Sequence, residues 1–264
     1  MALRSALINV MTLATRKAAR GLARDFGEVE NLQVSKKGPS NFVTAADLRA
    51  ESILQTELER VRPGYGFLLE EAGSIEGNDK THRWLVDPLD GTTNFLHGLP
   101  HFAISIALER EGQLVAGVIY DPIKDETFWA EKGKGAFLND RRLRVATRKD
   151  LSEALLATGI PFHGRPGHDL MSRELIAITD KIAGIRRYGS AALDLAYVSA
   201  GRYDGFWERG LAPWDVAAGI VLVREAGGIV KEIDGRDIRV DSPSILASNE
   251  SLFGQVSDIL CRAE

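Results

Sequence analysis

The sequence predicts an α/β protein in which sheets and helices stack in layers. Three observations carry that prediction. The first 24 residues follow a helical apolar spacing, residues 67–145 hold short apolar runs separated by turn residues, and strand-like and helix-like segments alternate from about residue 151. With 264 residues, 44% of them hydrophobic, the chain is long enough to bury a substantial core.

The N-terminal segment predicts an amphipathic helix. Leu3, Leu7, Val10 and Leu13 follow helical intervals, with alanines between them. The segment is also basic and has no acidic residue before Asp25, as in an organellar transit peptide. The helix is favoured because the segment lacks the serine-rich character of such peptides.

The next elements are a helix and a series of strands. Thr44 and Asp47 have the spacing of a capping box, which predicts a helix over 44–60. Turn residues at 133–135 and 139–140 separate apolar runs that read as strands. The predicted strands cover 67–69, 84–86, 104–108, 115–120, 127–130 and 143–145.

Strands and helices then alternate. Extended segments are predicted at 154–158, 204–207, 229–233 and 245–247, and helices at 169–181, 190–200, 216–226 and 252–260. The chain has no internal repeat and no long linker. We therefore expect one compact unit with an N-terminal α+β subdomain over 1–148 and a C-terminal α/β subdomain over 149–264.

Composition excludes several classes of protein. The formal net charge is −4 and the basic residues are scattered, which argues against direct nucleic-acid binding. No run approaches the roughly 20 apolar residues that a membrane span needs. Cys261 is the sole cysteine, so no intrachain disulfide can form, and a reducing cytoplasm fits.

The most informative segment covers residues 84–95. A buried strand delivers Asp87, Pro88 fixes the following turn, and Asp90 tightens it. Two carboxylates and the carbonyl of Leu89 can then converge on one point, and Mg²⁺ prefers such oxygen ligands. The same spacing also fits an ordinary surface turn, so this segment alone does not decide between the two.

Two more acidic positions matter in combination with that segment. Glu70 and Glu71 close an apolar strand just upstream, and Asp215 follows Trp214 at the start of a predicted helix. Each has an ordinary explanation. Glu70 and Glu71 could be a solvated pair at a strand end, and Asp215 could be a charge that interacts favourably with the helix dipole. The conjunction of the acidic positions is what indicates a metal site.

At these residues the sequence resembles the inositol monophosphatase family, and specifically its bacterial extragenic-suppressor branch. The resemblance runs over nearly the whole chain, and its most specific elements are residues 87–93 and Trp214-Asp215. The matching segments are 42–44, 87–95, 189–192, 214–215 and 225–228. The resemblance implies a layered αβαβα sandwich, Mg²⁺-dependent hydrolysis of a phosphate monoester, lithium sensitivity and a homodimer.

The resemblance also implies which residues hold the metal. Glu70, Asp87 and the Leu89 carbonyl would bind a first Mg²⁺, and Asp87, Asp90 and Asp215 a second. A weaker third ion would rest on Glu70. Most of these ligands fall in the predicted N-terminal subdomain, and Asp215 falls in the other.

Catalysis would fall to Thr92, Asp47 and Glu70 in the family pattern. Water activated by the first ion would attack the phosphorus, oriented by Thr92 hydrogen-bonded to Asp47. Asp47 also fits a purely structural role as the acid of the capping box. Lys36 would lie on a mobile loop near the metals, although Lys37 beside it leaves that assignment open.

For the substrate, the resemblance implies contacts on two sides. Glu208 would bind ring hydroxyls, and a glutamate there favours a neutral polyol over an anionic group. The remaining contacts are Asp90, Gly91, Thr92, Gly189, Ser190 and Ala191. Leu69 and Ala72 depart from the family pattern beside the acid pair, which puts metal affinity in doubt.

Myo-inositol monophosphate is the favoured substrate, and three enzymatic alternatives stay open. These are fructose 1,6-bisphosphate, histidinol phosphate and an adenosine bisphosphate, all of which would use the same acids. Members of this branch also associate with the transcription machinery. A binding role there is the alternative from a different class.

Overall fold

The computed structural model describes residues 4–26, 34–38 and 41–264. Seven α-helices occur in that part of the chain. They are α1 (Ala6–Phe26), α2 (Ala45–Val61), α3 (Thr92–Leu96), α4 (His168–Thr179), α5 (Ala191–Ser199), α6 (Pro213–Glu225) and α7 (Glu250–Arg262). None of the described helices is long and apolar enough to cross a bilayer.

The strands form a short ribbon and two sheets. The ribbon pairs β1 (Val34–Gly38) with β2 (Asn41–Thr44). The larger sheet contains β3 (Tyr65–Leu69), β4 (Gly73–Ile75), β5 (Asp79–Asp90), β6 (Ala103–Arg110), β7 (Gln113–Asp121), β8 (Glu126–Glu131), β9 (Gly135–Leu138) and β10 (Arg141–Arg142). The smaller sheet contains β11 (Leu155–Thr158), β12 (Gly184–Arg186), β13 (Gly205–Arg209), β14 (Ile229–Lys231) and β15 (Ser244–Ser248).

The strand order places the candidate site. The larger sheet runs β10-β9-β8-β7-β6-β5-β3-β4 and is antiparallel except where β3 and β5 pair in parallel. The smaller sheet runs β12-β11-β13-β15-β14, with β11 parallel to both of its neighbours. Because β3 and β5 are parallel, the acidic residues at their carboxyl ends meet at one edge.

Three apolar clusters separate five layers. One cluster joins α1 and α2 to a face of the larger sheet. A second joins the opposite face to α5, α6 and the inner face of the smaller sheet. The third joins the outer face of that sheet to α4 and α7. Successive side chains of a strand point to opposite faces, so Phe206 enters the second cluster and Trp207 the third. The predicted layered αβαβα sandwich is confirmed.

Local predictions succeed where short-range signals dominate. The capping box forms, with Asp47 accepting a hydrogen bond from the Thr44 N–H at 2.9 Å, and α2 follows it. The strand predicted at 143–145 is wrong. β10 ends at Arg142; the Leu143 N–H still donates to Ala136 of β9, but the Val145 N–H donates to Ala226 at the end of α6. Every strand of the larger sheet lies before residue 148 and every strand of the smaller sheet after it. The division into two subdomains stays a prediction.

Candidate active site

A cavity of about 970 Å³ lies where the two sheets and the starts of several helices meet. It brings together residues that are far apart in the sequence. Its walls include Glu70, Asp90, Gly91, Thr92, Gly159, Arg165, Arg187, Gly189, Ser190, Ala191, Asp194, Glu208 and Asp215. Most of the residues predicted from the sequence therefore line one cavity, together with several that were not predicted, whereas Asp47, Asp87 and Leu89 are not part of its wall.

An irregularity in β5 shapes the first wall of the site, which is formed by Glu70, Asp87, Asp90 and Asp215. The strand was predicted to end before a turn, but β5 continues to Asp90. Asp87 pairs with Ser105 and Asp90 with Ala103, so β5 carries one residue more than its partner, as in a β-bulge. Pro88 has no N–H for the ladder, and the Leu89 N–H donates instead to Asp87 Oδ1 at 2.9 Å.

Asp87 is the most strongly perturbed acid of this wall. Its side chain is buried, and the parallel pairing of β3 and β5 brings Glu70 beside it. Burial raises the pKa of Asp87 well above its usual value, and the neighbouring charges of Glu70, Asp90 and Asp215 raise it further. Asp87 also shares a hydrogen bond with Glu70. Four carboxyl groups therefore repel one another around Asp87.

Asp90 is held by the start of α5. Its Oδ2 accepts hydrogen bonds from the Ser190 hydroxyl at 2.5 Å and from the Ala192 N–H at 2.8 Å. Desolvation nevertheless raises the pKa of Asp90 to about 6. Ser190 is the N-cap of α5, and its proton is committed to Asp90. Ser190 would therefore influence substrate binding mainly by orienting the Asp90 carboxylate.

Asp215 comes to the same place from α6. It lies in the first turn of that helix, and its Oδ2 accepts a hydrogen bond from the Ala212 N–H at 2.7 Å. Desolvation first, and the charge of Asp90 second, raise the pKa of Asp215 to about 7. The helix start therefore fixes this carboxyl group in orientation while leaving its other oxygen uncommitted to Ala212.

Thr92 contacts Asp47, another of the three predicted catalytic residues. Its Oγ1 lies 3.3 Å from Asp47 Oδ1 and 3.1 Å from the Leu89 carbonyl oxygen. The hydroxyl has one proton, so it donates to one of these acceptors at a time. Asp47 is fully buried, and burial raises its pKa, opposed by hydrogen bonds from Thr44.

Gly91 allows the chain to turn into α3 at the cavity wall. Its φ of 94° lies in the left-handed region, and a Cβ there would come within 3.1 Å of the His101 carbonyl oxygen. The Asn94 side-chain amide braces the same region by donating to His101 and to Tyr188. This contact ties α3 to the segment that leads into Gly189.

The opposite wall carries Glu208 and Asp194. The Glu208 carboxyl group packs against Gly159, where an added Cβ would overlap it at 2.0 Å. Burial, and then the charges of Asp215 and Asp90, raise the pKa of Glu208 to about 8, while Arg187 and Arg165 oppose that rise. Two arginines therefore face this glutamate. Repulsion by Glu208 is not by itself a reason to exclude an anionic substrate.

The chemistry of the first wall fits Mg²⁺. Glu70, Asp87, Asp90 and Asp215 supply oxygen donors whose mutual repulsion a divalent cation would relieve. Among the residues that the structure describes, no three Asp, Glu, His or Cys side chains already stand as a set of cation ligands. The donor chemistry still fits Mg²⁺, because the protein-bound ion keeps several waters and takes substrate phosphate oxygens rather than an all-protein cage.

Comparison with known proteins gives the family of the chain. The sequence model of the inositol monophosphatase family matches residues 3–262. The chain belongs to this family. An inositol-1-monophosphatase of Caulobacter vibrioides is 60% identical over 253 residues, which cover 95% of this chain and 99% of the relative. The Nus factor SuhB of Escherichia coli K12 is 44% identical, covering 92% of this chain and 91% of the relative.

Solved structures agree as well. The crystal structure of the extragenic suppressor protein suhB from Bartonella henselae is 55% identical and has a TM-score of 0.94. The match covers 97% of this chain and 98% of that one. Both the family and its bacterial extragenic-suppressor branch, predicted from the motifs, are therefore confirmed.

One residue predicted for the site lies in a different kind of element. Lys36 was expected on a loop, but its backbone belongs to β1 and pairs with Phe42 of β2. The loop assignment is wrong because the segments on either side of 39–40 pair as antiparallel strands. The Lys36 side chain lies outside the described part of the structure, so its proximity to the metals stays a prediction.

Sequence reasoning missed Asp194, Arg165, Arg187 and Gly159. Asp194 follows Ser190 by one helical turn, and an acid in a first turn usually needs no explanation beyond the helix dipole. The arginines lie on irregular segments whose approach to Glu208 depends on tertiary packing. A second acid one turn after a predicted substrate-binding serine was the available signal.

Proposed function

We propose that this chain hydrolyses myo-inositol monophosphate to inositol and inorganic phosphate, using two to three Mg²⁺ ions. One observation carries the proposal. The cavity wall contains Glu70, Asp90 and Asp215, whose charges raise the pKa of the buried Asp87, and it also contains a Glu208 carboxyl group able to accept hydrogen bonds from hydroxyl groups. The 60% identity to an inositol-1-monophosphatase supports the same substrate.

The proposed ligands divide into two sets. Glu70, Asp87 and the Leu89 carbonyl would hold one ion, and Asp87, Asp90 and Asp215 the other. When bound, the metal supplies charge neutralisation at the phosphate and lowers the pKa of water at the site. The hydrogen bonds to Asp90 and Asp215 then keep two of these carboxylates oriented.

The remaining groups act on the water and the ester. With the Leu89 carbonyl engaged elsewhere, the Thr92 hydroxyl would donate its hydrogen bond to Asp47, and its oxygen would accept a hydrogen bond from a water molecule. Gly91, Gly189 and Ala191 bring backbone near the phosphate. Glu208 accepts hydrogen bonds from hydroxyl groups of the inositol ring on the far side.

The test is release of inorganic phosphate from a substrate panel. The panel contains inositol 1-phosphate, fructose 1,6-bisphosphate, histidinol phosphate and adenosine 3′,5′-bisphosphate, each with and without Mg²⁺. We expect Mg²⁺-dependent turnover that favours inositol 1-phosphate and is lost in Asp87→Asn. Preference for another ester would refute the substrate, and the absence of turnover of every ester would refute the enzymatic proposal.

Several properties of the proposed enzyme follow from the family pattern. We propose a cytoplasmic homodimer that lithium inhibits, with no direct contact to nucleic acid or membrane. Sedimentation at micromolar concentration tests the dimer, and a lithium titration of phosphate release tests inhibition. A monomer, or activity indifferent to lithium, would contradict these points and leave the hydrolysis proposal standing.

A second function is favoured by one observation, the 44% identity to a protein named as a Nus factor. We propose that this chain can also bind the transcription machinery. Asp87→Asn separates the two roles, because it removes a metal ligand and leaves the surface unchanged. If binding to purified transcription complexes persists in that variant while phosphate release is lost, the two functions are separate. No binding by the wild type would refute this second role.

A further inference from the structure

Asp194 is a buried acid that no role described so far uses. It lies in the first turn of α5, is 1% exposed, and reaches the wall of the cavity. Its Oδ1 has no hydrogen-bond partner. Leaving a buried polar oxygen unpaired costs about 1–3 kcal/mol, so such an atom calls for an explanation.

The surroundings of Asp194 do not satisfy that oxygen. Glu208 and Asp90 are the acids that act on it, and Arg187 is the cation that opposes them. The nearby Tyr203 hydroxyl is itself buried without a partner, so it does not donate to Asp194. The two acids whose charges act on Asp194 both line the cavity, as Asp194 itself does.

We propose that Asp194 is a specificity-determining residue that accepts a hydrogen bond from a hydroxyl group of the substrate's polyol, beside Glu208. This inference rests on the proposed function, because it assigns a second contact to the same leaving group. A polyol carries several hydroxyl donors on adjacent carbons, so two neighbouring carboxyl groups can each accept one. An ester without hydroxyl groups would leave both buried acceptors unpaired, and such sites reject those analogues strongly.

The competing explanation is purely structural. An acid in the first turn of a helix interacts favourably with the helix dipole, whatever the substrate. That role predicts equal effects of a mutation on every substrate. A direct contact predicts an effect only on substrates that carry hydroxyl groups, so two esters of similar shape distinguish the explanations.

The experiment compares inositol 1-phosphate with cyclohexyl phosphate, which has the same ring and no free hydroxyl group. The enzymes are the Mg²⁺-loaded wild type, Asp194→Asn, Asp194→Leu, Glu208→Gln and the Asp194→Asn, Glu208→Gln double variant. We expect Asp194→Asn to lower kcat/KM for inositol 1-phosphate about tenfold, mostly through KM, and to change cyclohexyl phosphate less than about twofold. Asp194→Leu, which has no acceptor, should lose more on inositol 1-phosphate only.

The double variant tests whether Asp194 acts through Glu208. A further loss specific to inositol 1-phosphate is expected, because the two residues contact different hydroxyl groups. No further loss would overturn the direct contact. Equal losses on both esters, or an unchanged preference, would overturn the inference while wild-type turnover of inositol 1-phosphate upheld the proposed function. If the wild type releases no phosphate from inositol 1-phosphate, the proposed function and this inference fall together.

Discussion

The two walls of the cavity differ in the charges that act on their buried acids. Around Asp87, the strongest influences are burial and three other acids, which all raise its pKa. Around Glu208 and Asp194, burial and acids act in the same direction, but an arginine opposes them. The strongest influences on Asp87 therefore all oppose its charged form, whereas an arginine partly offsets them at Glu208 and at Asp194.

This difference assigns separate tasks to the walls. Clustered carboxyl groups without a compensating cation destabilise a fold, so a protein retains them where a metal ion uses them. Acids with a nearby arginine are tolerable without metal and remain available as hydrogen-bond acceptors. The predictions below separate metal dependence on one wall from substrate preference on the other.

The largest effect is expected at Asp87. Asp87→Asn should lower kcat/KM by at least about 10³-fold, because it removes the carboxylate common to both proposed metal sets. Without Mg²⁺ the variant should be more stable to unfolding than the wild type by about 1–3 kcal/mol, since one buried repulsive charge is gone. Phosphate release measures the first effect and thermal unfolding with and without Mg²⁺ the second, in which the Mg²⁺-induced rise in Tm should disappear.

Asp204→Asn is the matched control, because Asp204 is also buried but has partners. It accepts hydrogen bonds from Arg148 at 3.0 Å and from the Leu155 N–H at 2.8 Å. Its loss should destabilise the protein by about 1–3 kcal/mol and leave the Mg²⁺-induced rise in Tm intact. If both variants lost stability equally without Mg²⁺, the contrast between compensated and uncompensated acids would be wrong.

The next effect concerns the hydroxyl at the edge of the metal wall. Thr92→Val keeps the shape of the side chain but removes the group that bridges Asp47 and the Leu89 carbonyl. We expect kcat for inositol 1-phosphate to fall about 10²-fold, with a smaller change in KM. Thr93→Val, at the exposed neighbouring position, should stay within about threefold of the wild type. Equal losses in the two variants would show that α3 geometry, not the Thr92 hydroxyl, is what matters.

A smaller effect is expected on the opposite wall. Gly159→Ala places a Cβ 2.0 Å from the Glu208 carboxyl group, which lies at the end of a flexible side chain and can move. We expect kcat/KM for inositol 1-phosphate to fall about tenfold, with cyclohexyl phosphate much less affected and a stability loss below about 1 kcal/mol. Gly254→Ala, on open helix surface, should keep activity and gain about 0.5–1 kcal/mol. A loss shared by both esters would contradict a role confined to Glu208.

The same contrast explains how far sequence reasoning reached. Asp87, Asp90 and Thr92 could be proposed because one short segment carries them, and Asp215 because Trp214-Asp215 matches the family pattern. The parallel pairing of β3 with β5, which brings Glu70 to Asp87, is a tertiary feature that the structure supplies. Asp194 has an ordinary local explanation, and its importance depends on which element packs over it. The prediction of a strand at 143–145 was wrong for a similar reason, because the apolar pattern there reflects burial against α6 rather than pairing in a sheet.

The smallest effect concerns His101, which lies beside the cavity and accepts a hydrogen bond through its carbonyl from Asn94. Burial first, and the charge of Lys124 second, lower the pKa of the His101 ring to about 4, while Asp121 opposes this. An unfolded histidine titrates near pH 6.5, so between about pH 6.5 and 4 the unfolded state binds more protons than the folded state. The contribution of His101 to stability is therefore fully present above pH 6.5 and is lost as the pH falls toward 4.

His101→Phe should remove this dependence while keeping the ring contacts to Tyr188 and Tyr197. The His101 Nε2 is buried without a hydrogen-bond partner, so the replacement leaves no donor or acceptor newly unpaired. Relative to the variant, the wild type should lose on the order of 1 kcal/mol between pH 7 and 4.5, after allowance for the partial exposure of the ring. Urea unfolding at several pH values without Mg²⁺ measures that difference. If the difference in stability between the two proteins did not change with pH, the loss of stability at low pH would come from the acids of the cavity and not from His101.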